Sequence, residues 1–345
     1  MNGPAPAIDF EAQSLKDFLT GFLGRKVESL AIRATEGGMS NPTYFVDADG
    51  WRAVLRKQPR MQLAKSAHAI DREFRVLRAL ATSDVPVPQA YHYYDDDTLL
   101  GTPFYLMEWL DGRMFHEFAT TGVSPEERAG LYRSMCAALA EIHKLDFKAL
   151  GLADFGKPGN YFRRQLSRWA RLWSEYRKGD EDNPGLDRIV GWLEERVPES
   201  ETLALCHGDF RMGNVMFHPT EPRVIGVLDW ELSTLGHPLV DLAFNSQAWR
   251  MAPDENGGLL GLPLREMGIP EEGDYLDLYY RLSGSPERLT RFHRVFAMFR
   301  GAVGSAGVAV RGEIGNNVLP DAARIGRHLV RAYAARGVAL IKEEP

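Results

Sequence analysis

Cysteine is nearly absent from this chain of 345 residues: Cys136 and Cys206 are the only two. They form no Cys-x-x-Cys pair and cannot supply a disulfide framework or a four-ligand zinc site, so a reducing compartment is expected. Positive charge is not in excess either. Forty-one Lys and Arg against 47 Asp and Glu leave a formal charge of −6. That balance excludes global recruitment to nucleic acid or an anionic membrane, and any anionic ligand must be met by local design. No apolar run reaches the roughly 18 residues of a membrane span, and the start, MNGPAPAIDFEAQ, lacks the basic and apolar regions of a signal peptide. A soluble cytoplasmic protein is therefore expected.

Several reactive motifs are missing as well. GLADFGK at residues 151–157 approximates a phosphate-binding P-loop, but Pro158 replaces the hydroxyl residue that binds Mg²⁺ and no apolar strand precedes it. A Gly-x-Ser-x-Gly elbow does not occur, which excludes that class of serine hydrolase. Cys206 adjoins His207, yet neighbouring strand residues point apart, so Cys206 reads as a buried structural thiol.

What is present is enough apolar sequence, 44% of residues, to bury a sizeable core, over a length that suggests two lobes. Leu15, Phe18, Leu19 and Phe22 make a helical stripe; strands follow over 29–35, 43–47 and 51–57, the last two flanking an Asp49-Gly50 turn. The spacing predicts a helix over 66–81 and strands over 89–95 and 104–109. After Asp111-Gly112 the pattern becomes mainly helical. Ser124, Pro125 and Glu127 form a capping box opening the surest helix, and Phe162, Leu166, Trp169 and Trp173 mark another. Short strands return between 203 and 229, and helices fill the remainder, including a glycine-rich stretch from Gly301 to Gly307 suited to close packing.

The chemistry concentrates in HGDFRMGNVMF and VIGVLDWE. Phosphoryl transfer from a nucleotide needs a carboxylate to orient and deprotonate the acceptor hydroxyl, oxygen ligands for Mg²⁺ and positive charge on the phosphates. Asp209, Asn214 and Asp229 can supply the first two, and one Asp with one Asn suits a cation that keeps several waters and phosphate oxygens. This spacing resembles the catalytic core of the protein-kinase-like superfamily, in its aminoglycoside phosphotransferase and choline kinase branch. The resemblance implies an α+β, two-lobed protein-kinase-like fold, with an N-terminal lobe over residues 1–108 and a helical C-terminal lobe over 109–345. It also implies Asp209 as base and Asn214 and Asp229 as metal ligands, with His207 and Asp241 in structural support. The Phe-Gly that follows the metal-binding Asp in protein kinases is absent here.

Upstream, the resemblance puts a phosphate-covering loop at Gly37, Gly38, Ser40 and Asn41. A strand cation, Arg56 or Lys57, is expected to pair with Glu73. Arg56 is favoured because AVLRK, SAHAIDREF and the HGD block look most like the subgroup found fused to acyl-CoA dehydrogenases. The hinge at Glu108 and Trp109 would offer backbone groups to adenine, with ATP in the cleft. Eleven residues between Asp229 and Asp241 leave no room for a peptide-docking activation segment, so a small hydroxylated molecule is expected as acceptor, ATP and Mg²⁺ as the other participants. Tyr161, Arg164 and Arg168, within an arginine-bearing helix, are the candidate acceptor contacts and favour an anionic or amphipathic molecule. The competing reading is a catalytically silent nucleotide-binding module; retention of Asp209, Asn214 and Asp229 together argues against it.

Overall fold

The alternation beginning at residue 30 builds a five-stranded antiparallel sheet. A computed structural model describes residues 8–35, 41–60, 70–157, 159–177, 183–200, 202–313 and 321–343. The chain divides into two units, Met1–Asp111 with Asp229–Glu231, and Gly112–Leu228 with Leu232–Pro345. The first unit thus ends at Asp111, where the pattern turns helical and three residues past the lobe bound at 108, and takes in a short segment from far along the chain.

In the first unit, α1 (Ala12–Leu23) precedes β1 (Leu30–Ala34), β2 (Thr43–Ala48) and β3 (Trp51–Lys57); α2 (Ile70–Leu80) then leads to β4 (Ala90–Tyr94) and β5 (Phe104–Glu108). The strand order is β1-β2-β3-β5-β4. Leu15 and Leu19 of α1 bury against Tyr44, Val46, Leu55, Phe104 and Leu106, which alternate onto one face of the sheet. Phe74 of α2 meets Tyr93 and Tyr105, which point to the other face. Because successive strand residues point oppositely, Arg56 and Lys57 serve different faces. Lys57 is fully buried on the α1 side, its ammonium bonded to Asp9 Oδ2 (2.8 Å) and the Leu100 carbonyl (3.0 Å). The helix expected from residue 66 is described only from Ile70; 66–69 lie outside the described residues.

The second unit begins with β6 (Arg113–Met114) and α3 (Pro125–Lys144), where Ser124 Oγ accepts the Glu127 N–H at 3.2 Å as its capping box requires. After α4 (Tyr161–Tyr176) and α5 (Pro184–Glu194) come β7 (Ala204–Cys206), β8 (Val215–Phe217), β9 (Val224–Val227) and β10 (Thr234–Gly236). The four form two small antiparallel sheets with β6, ordered β6-β8-β9 and β10-β7. β6 and β10 are too short to carry a readable alternation and exist by pairing with distant partners. The rest is helical: α6 (Leu239–Ser246), α7 (Leu264–Met267), α8 (Glu272–Ser283), α9 (Arg291–Glu313) and α10 (Ala322–Lys342). Phe292, Phe296, Phe299 and Val303 of α9 form the centre of the helical core, packed on α4, α5 and α10.

Glycines let α9 and α10 approach closely. A Cβ at Gly326 would lie 2.6 Å from the Ser305 carbonyl oxygen and 2.7 Å from the Ala309 nitrogen, both backbone atoms that cannot yield cheaply. Gly304, exposed in the middle of α9, has nothing within 4 Å of its Cβ position. Alanine has the better helix propensity by about 1 kcal/mol, so the two sites should respond with opposite sign. Gly304→Ala is expected to stabilise the protein by about 0.5–1 kcal/mol, and Gly326→Ala to destabilise it by about 1–3 kcal/mol through overpacking. Urea denaturation of the two variants against the parent checks both.

Candidate active site

Strand β7 ends at Cys206 and delivers His207-Gly208-Asp209 into a loop that closes with a single 3₁₀ turn at Met212–Asn214. The loop is held from beneath by Asp241 of α6, which is fully buried. Its Oδ2 accepts the His207 N–H at 2.6 Å and its Oδ1 the Gly208 N–H at 2.9 Å, with His143 Nε2 at 3.4 Å from Oδ2. Burial works to raise the Asp241 carboxyl, but the His143 bond and charge, His207 and the Gly208 N–H outweigh it and hold the group below its usual range. His143, Cys206 and Asp241 lie within 4.8 Å of one another as possible ligands, but both Asp241 oxygens are committed to loop amides.

His207 is a linchpin of hydrogen bonding. Its Nε2–H donates to the Leu228 carbonyl at 2.8 Å, while Nδ1 accepts the Asp209 N–H at 3.2 Å, an arrangement that assigns the tautomer. Asn214 Nδ2 donates to both the Asp209 carbonyl and Asp209 Oδ2, each at 2.8 Å. Its amide oxygen is then the atom left for a cation. Asn214 directly precedes β8, and the Leu228 N–H returns to the Asn214 carbonyl at 2.9 Å across the β8–β9 hairpin, one residue before Asp229. Cys206 is fully buried and its thiol is pushed well above the usual range by desolvation, as expected of a structural cysteine.

The first unit carries a separate set of charges. Arg56 of β3 places Nε 3.1 Å from Glu73 Oε2 of α2, and Nη2 2.7 Å from Asp229 Oδ1 and 3.5 Å from Glu231 Oε2. Burial alone would lower the Arg56 guanidinium, but Glu73, Asp229, Tyr105 and Glu231 hold it well above its usual range. The Glu73 carboxyl is raised, because its desolvation and the Asp229 charge outweigh the pull of Arg56. Glu73 Oε1 also accepts the Trp230 N–H at 3.3 Å. Asp229 itself sits at φ +66°, a left-handed conformation uncommon for aspartate. Among the described residues, one guanidinium thus faces three carboxylates in a partly buried cluster.

The remaining predicted residues are distributed as follows. Asn41 is buried and its Nδ2 donates to Glu231 Oε2 at 3.1 Å, whereas Gly37, Gly38 and Ser40 lie outside the described residues. At the end of β5 the Glu108 N–H is committed to the Gln89 carbonyl at 2.8 Å, and the Trp109 ring lies tilted against Phe45 with centroids 4.4 Å apart. On α4 the candidates do not converge. Tyr161 is buried against Gly236, Arg164 donates to the Lys157 carbonyl, and Arg168 is exposed beside Trp169, as are Arg163 and Arg171. Sequence reasoning missed Glu231, Arg211 and Arg300. The first two lie within the same motifs, two residues beyond Asp229 and Asp209, and Arg211 Nε comes to 3.6 Å of Asp209 Oδ2. Arg300 was signalled only by a charge on the apolar stripe of α9.

Comparison with known proteins places this geometry. The sequence model of the phosphotransferase enzyme family matches residues 31–260. Human acyl-CoA dehydrogenase family member 11 is 35% identical over 347 residues, covering 98% of this chain but 44% of the relative. The chain spans less than half the length of the curated acyl-CoA dehydrogenase relatives it matches. Among solved structures, a protein of Ralstonia eutropha provisionally named an aminoglycoside phosphotransferase is 36% identical, with a TM-score of 0.84 over 96% of this chain and 98% of its own. A spectinomycin phosphotransferase solved with ADP and spectinomycin shares the fold at 12% identity, with a TM-score of 0.64 over 96% of this chain and 99% of its own. The fold is therefore the α+β, protein-kinase-like fold of these enzymes. From the family match over most of its length and this fold, the chain belongs to the phosphotransferase enzyme family.

Proposed function

We propose that this chain transfers the γ-phosphate of ATP to a hydroxyl of a small molecule, with Asp209 as the base and Asn214 and Asp229 as ligands of Mg²⁺. The observation that carries the reading is the gathering of carboxylates at Arg56 among the described residues, with Asp229 itself at φ +66°. Like charges so placed call for a cation, and an all-oxygen set of carboxylate and amide suits Mg²⁺ rather than a softer metal. When bound, that ion supplies charge neutralisation on phosphoryl oxygens.

Asp209 accepts the proton of the acceptor hydroxyl as the hydroxyl oxygen bonds to the γ-phosphorus and the bond to the ADP oxygen breaks. Its carboxylate is oriented for this by the Asn214 amide, and its backbone by His207. Arg56 brings a cation that Glu73 holds in place on β3. Trp109 and Leu110 offer backbone beyond the committed Glu108 N–H for the adenine. Tyr161, Arg164 and Arg168 of α4 stay candidate acceptor contacts, Arg168 exposed and Arg164 donating to the Lys157 carbonyl.

Two outcomes are expected. Asp209→Asn should lower the rate of acceptor-dependent ADP release by about 10²–10⁴-fold, the span of general base catalysis, with nucleotide affinity retained. A coupled assay with Mg-ATP and pooled hydroxylated metabolites, beside calorimetric nucleotide titration, measures both; equal turnover by variant and parent would remove Asp209 as base, and nucleotide binding without any acceptor-dependent ADP would favour the silent module. Arg56→Met should destabilise the protein by about 3–5 kcal/mol, because it removes the guanidinium from a buried ion pair with Glu73. Arg56→Lys should recover part of that loss, and the ordering of the three by chemical denaturation tests the cluster.

A further inference from the structure

Gly208 is held on three sides by three parts of the second unit. Its N–H donates to Asp241 Oδ1 of α6 at 2.9 Å, and its carbonyl accepts from Arg300 Nη2 of α9 at 2.8 Å. Where a Cβ would stand, the Leu232 carbonyl oxygen is 2.4 Å away, and φ is +86°. Only glycine fits there, and glycine has the freest backbone of any residue. The next peptide unit carries Asp209.

Arg300 is the least expected member of this clamp. It is 8% exposed, yet among the described residues Nε and Nη1 find no hydrogen-bond acceptor. Among the described residues no carboxylate pairs with it; instead the rings of Trp169 and Phe244 lie with their centroids each 5.4 Å from its Cζ. Ring faces offset part of the cost of burying such a cation, but a buried charge without an ionic partner remains expensive. A methionine would extend the apolar stripe of Phe292, Phe296, Phe299 and Val303 without that cost. The one hydrogen bond the guanidinium makes, among the described residues, is to the Gly208 carbonyl.

We propose that Arg300 is a positioning residue for phosphoryl transfer: by anchoring the Gly208 carbonyl while Asp241 anchors the Gly208 N–H, it fixes the peptide that leads into Asp209 and so the direction of the Asp209 carboxylate. This rests on the reading of Asp209 as base. Displacing a reacting group by about 1 Å can cost about 10²-fold in rate, and a glycine freed on its carbonyl side can turn that far at little energetic cost. The effect belongs in kcat, because the clamp touches the loop and not the Arg56 cluster.

The test uses Arg300→Met, which keeps bulk and removes charge and donor, and Arg300→Lys, which keeps both. Val303→Ala, buried on the same helix, controls for lost stability. Turnover of Mg-ATP is followed with water as acceptor and with the pooled hydroxylated metabolites, together with hydrogen exchange across residues 207–211. For Arg300→Met, kcat should fall by about 10–100-fold with KM for Mg-ATP within about twofold, and exchange in that segment should quicken. Arg300→Lys should recover most of the loss, and Val303→Ala should lower Tm while keeping kcat. Parent-like kcat and exchange in Arg300→Met would overturn the proposal, as would a loss of kcat in Val303→Ala that tracks its loss of stability. Asp209→Asn, assayed alongside, separates the two readings: full activity there removes the base assignment, whereas a slow Asp209→Asn beside a fast Arg300→Met removes Arg300 alone.

Discussion

A fully buried carboxylate, Asp241, accepts hydrogen bonds from two successive backbone amides, His207 and Gly208, and the conformation of the loop after β7 follows from that grip. An ionised carboxylate in such a place is tolerated only if its lone pairs are satisfied. The amides, with His143 beside them, meet that demand. With residues 207 and 208 pinned, the His207 ring reaches both the Leu228 carbonyl and the Asp209 N–H, so the loop and the end of the β8–β9 hairpin are tied together. Asn214, at the other end of the loop, then closes on Asp209.

The two units hold different arrangements of polar groups. In the second the Asn214 amide donates to the Asp209 carboxylate. In the first Arg56 lies beside Glu73, Asp229 and Glu231. For the reaction proposed above, proton removal asks for a carboxylate fixed in direction, and phosphate asks for a guanidinium whose counter-ion is already in place.

Much of this was legible in the residues. The capping box at Ser124, the stripes of α1, α3 and α4, and the three long strands of the first unit declare themselves through local pattern, because helices and strands impose fixed periods on the burial of side chains. Asp209, Asn214 and Asp229 stand at spacings that a loop and a hairpin make meaningful. Less legible were β6 and β10, strands of two or three residues that exist only by pairing with β8 and β7. The α4 arginines read as a cationic segment, but Arg163, Arg168 and Arg171 are exposed and Arg164 donates to the Lys157 carbonyl, partners that helical spacing alone does not reveal.

The sequence by itself determined that the chain is α+β, that its charge is net acidic and that the phosphotransferase residues occur in order. The reason is that periodicity, composition and motif spacing are local quantities. The choice between Arg56 and Lys57 was not local. Adjacent strand residues are equivalent until each face of the sheet has a neighbour, and tertiary structure decided it by putting Asp9 near one and Glu73, Asp229 and Glu231 near the other. Tertiary structure also brought Arg300 to Gly208 across 92 residues of chain. No pattern in the intervening sequence encodes that contact, because it arises only when α9 packs beneath the loop.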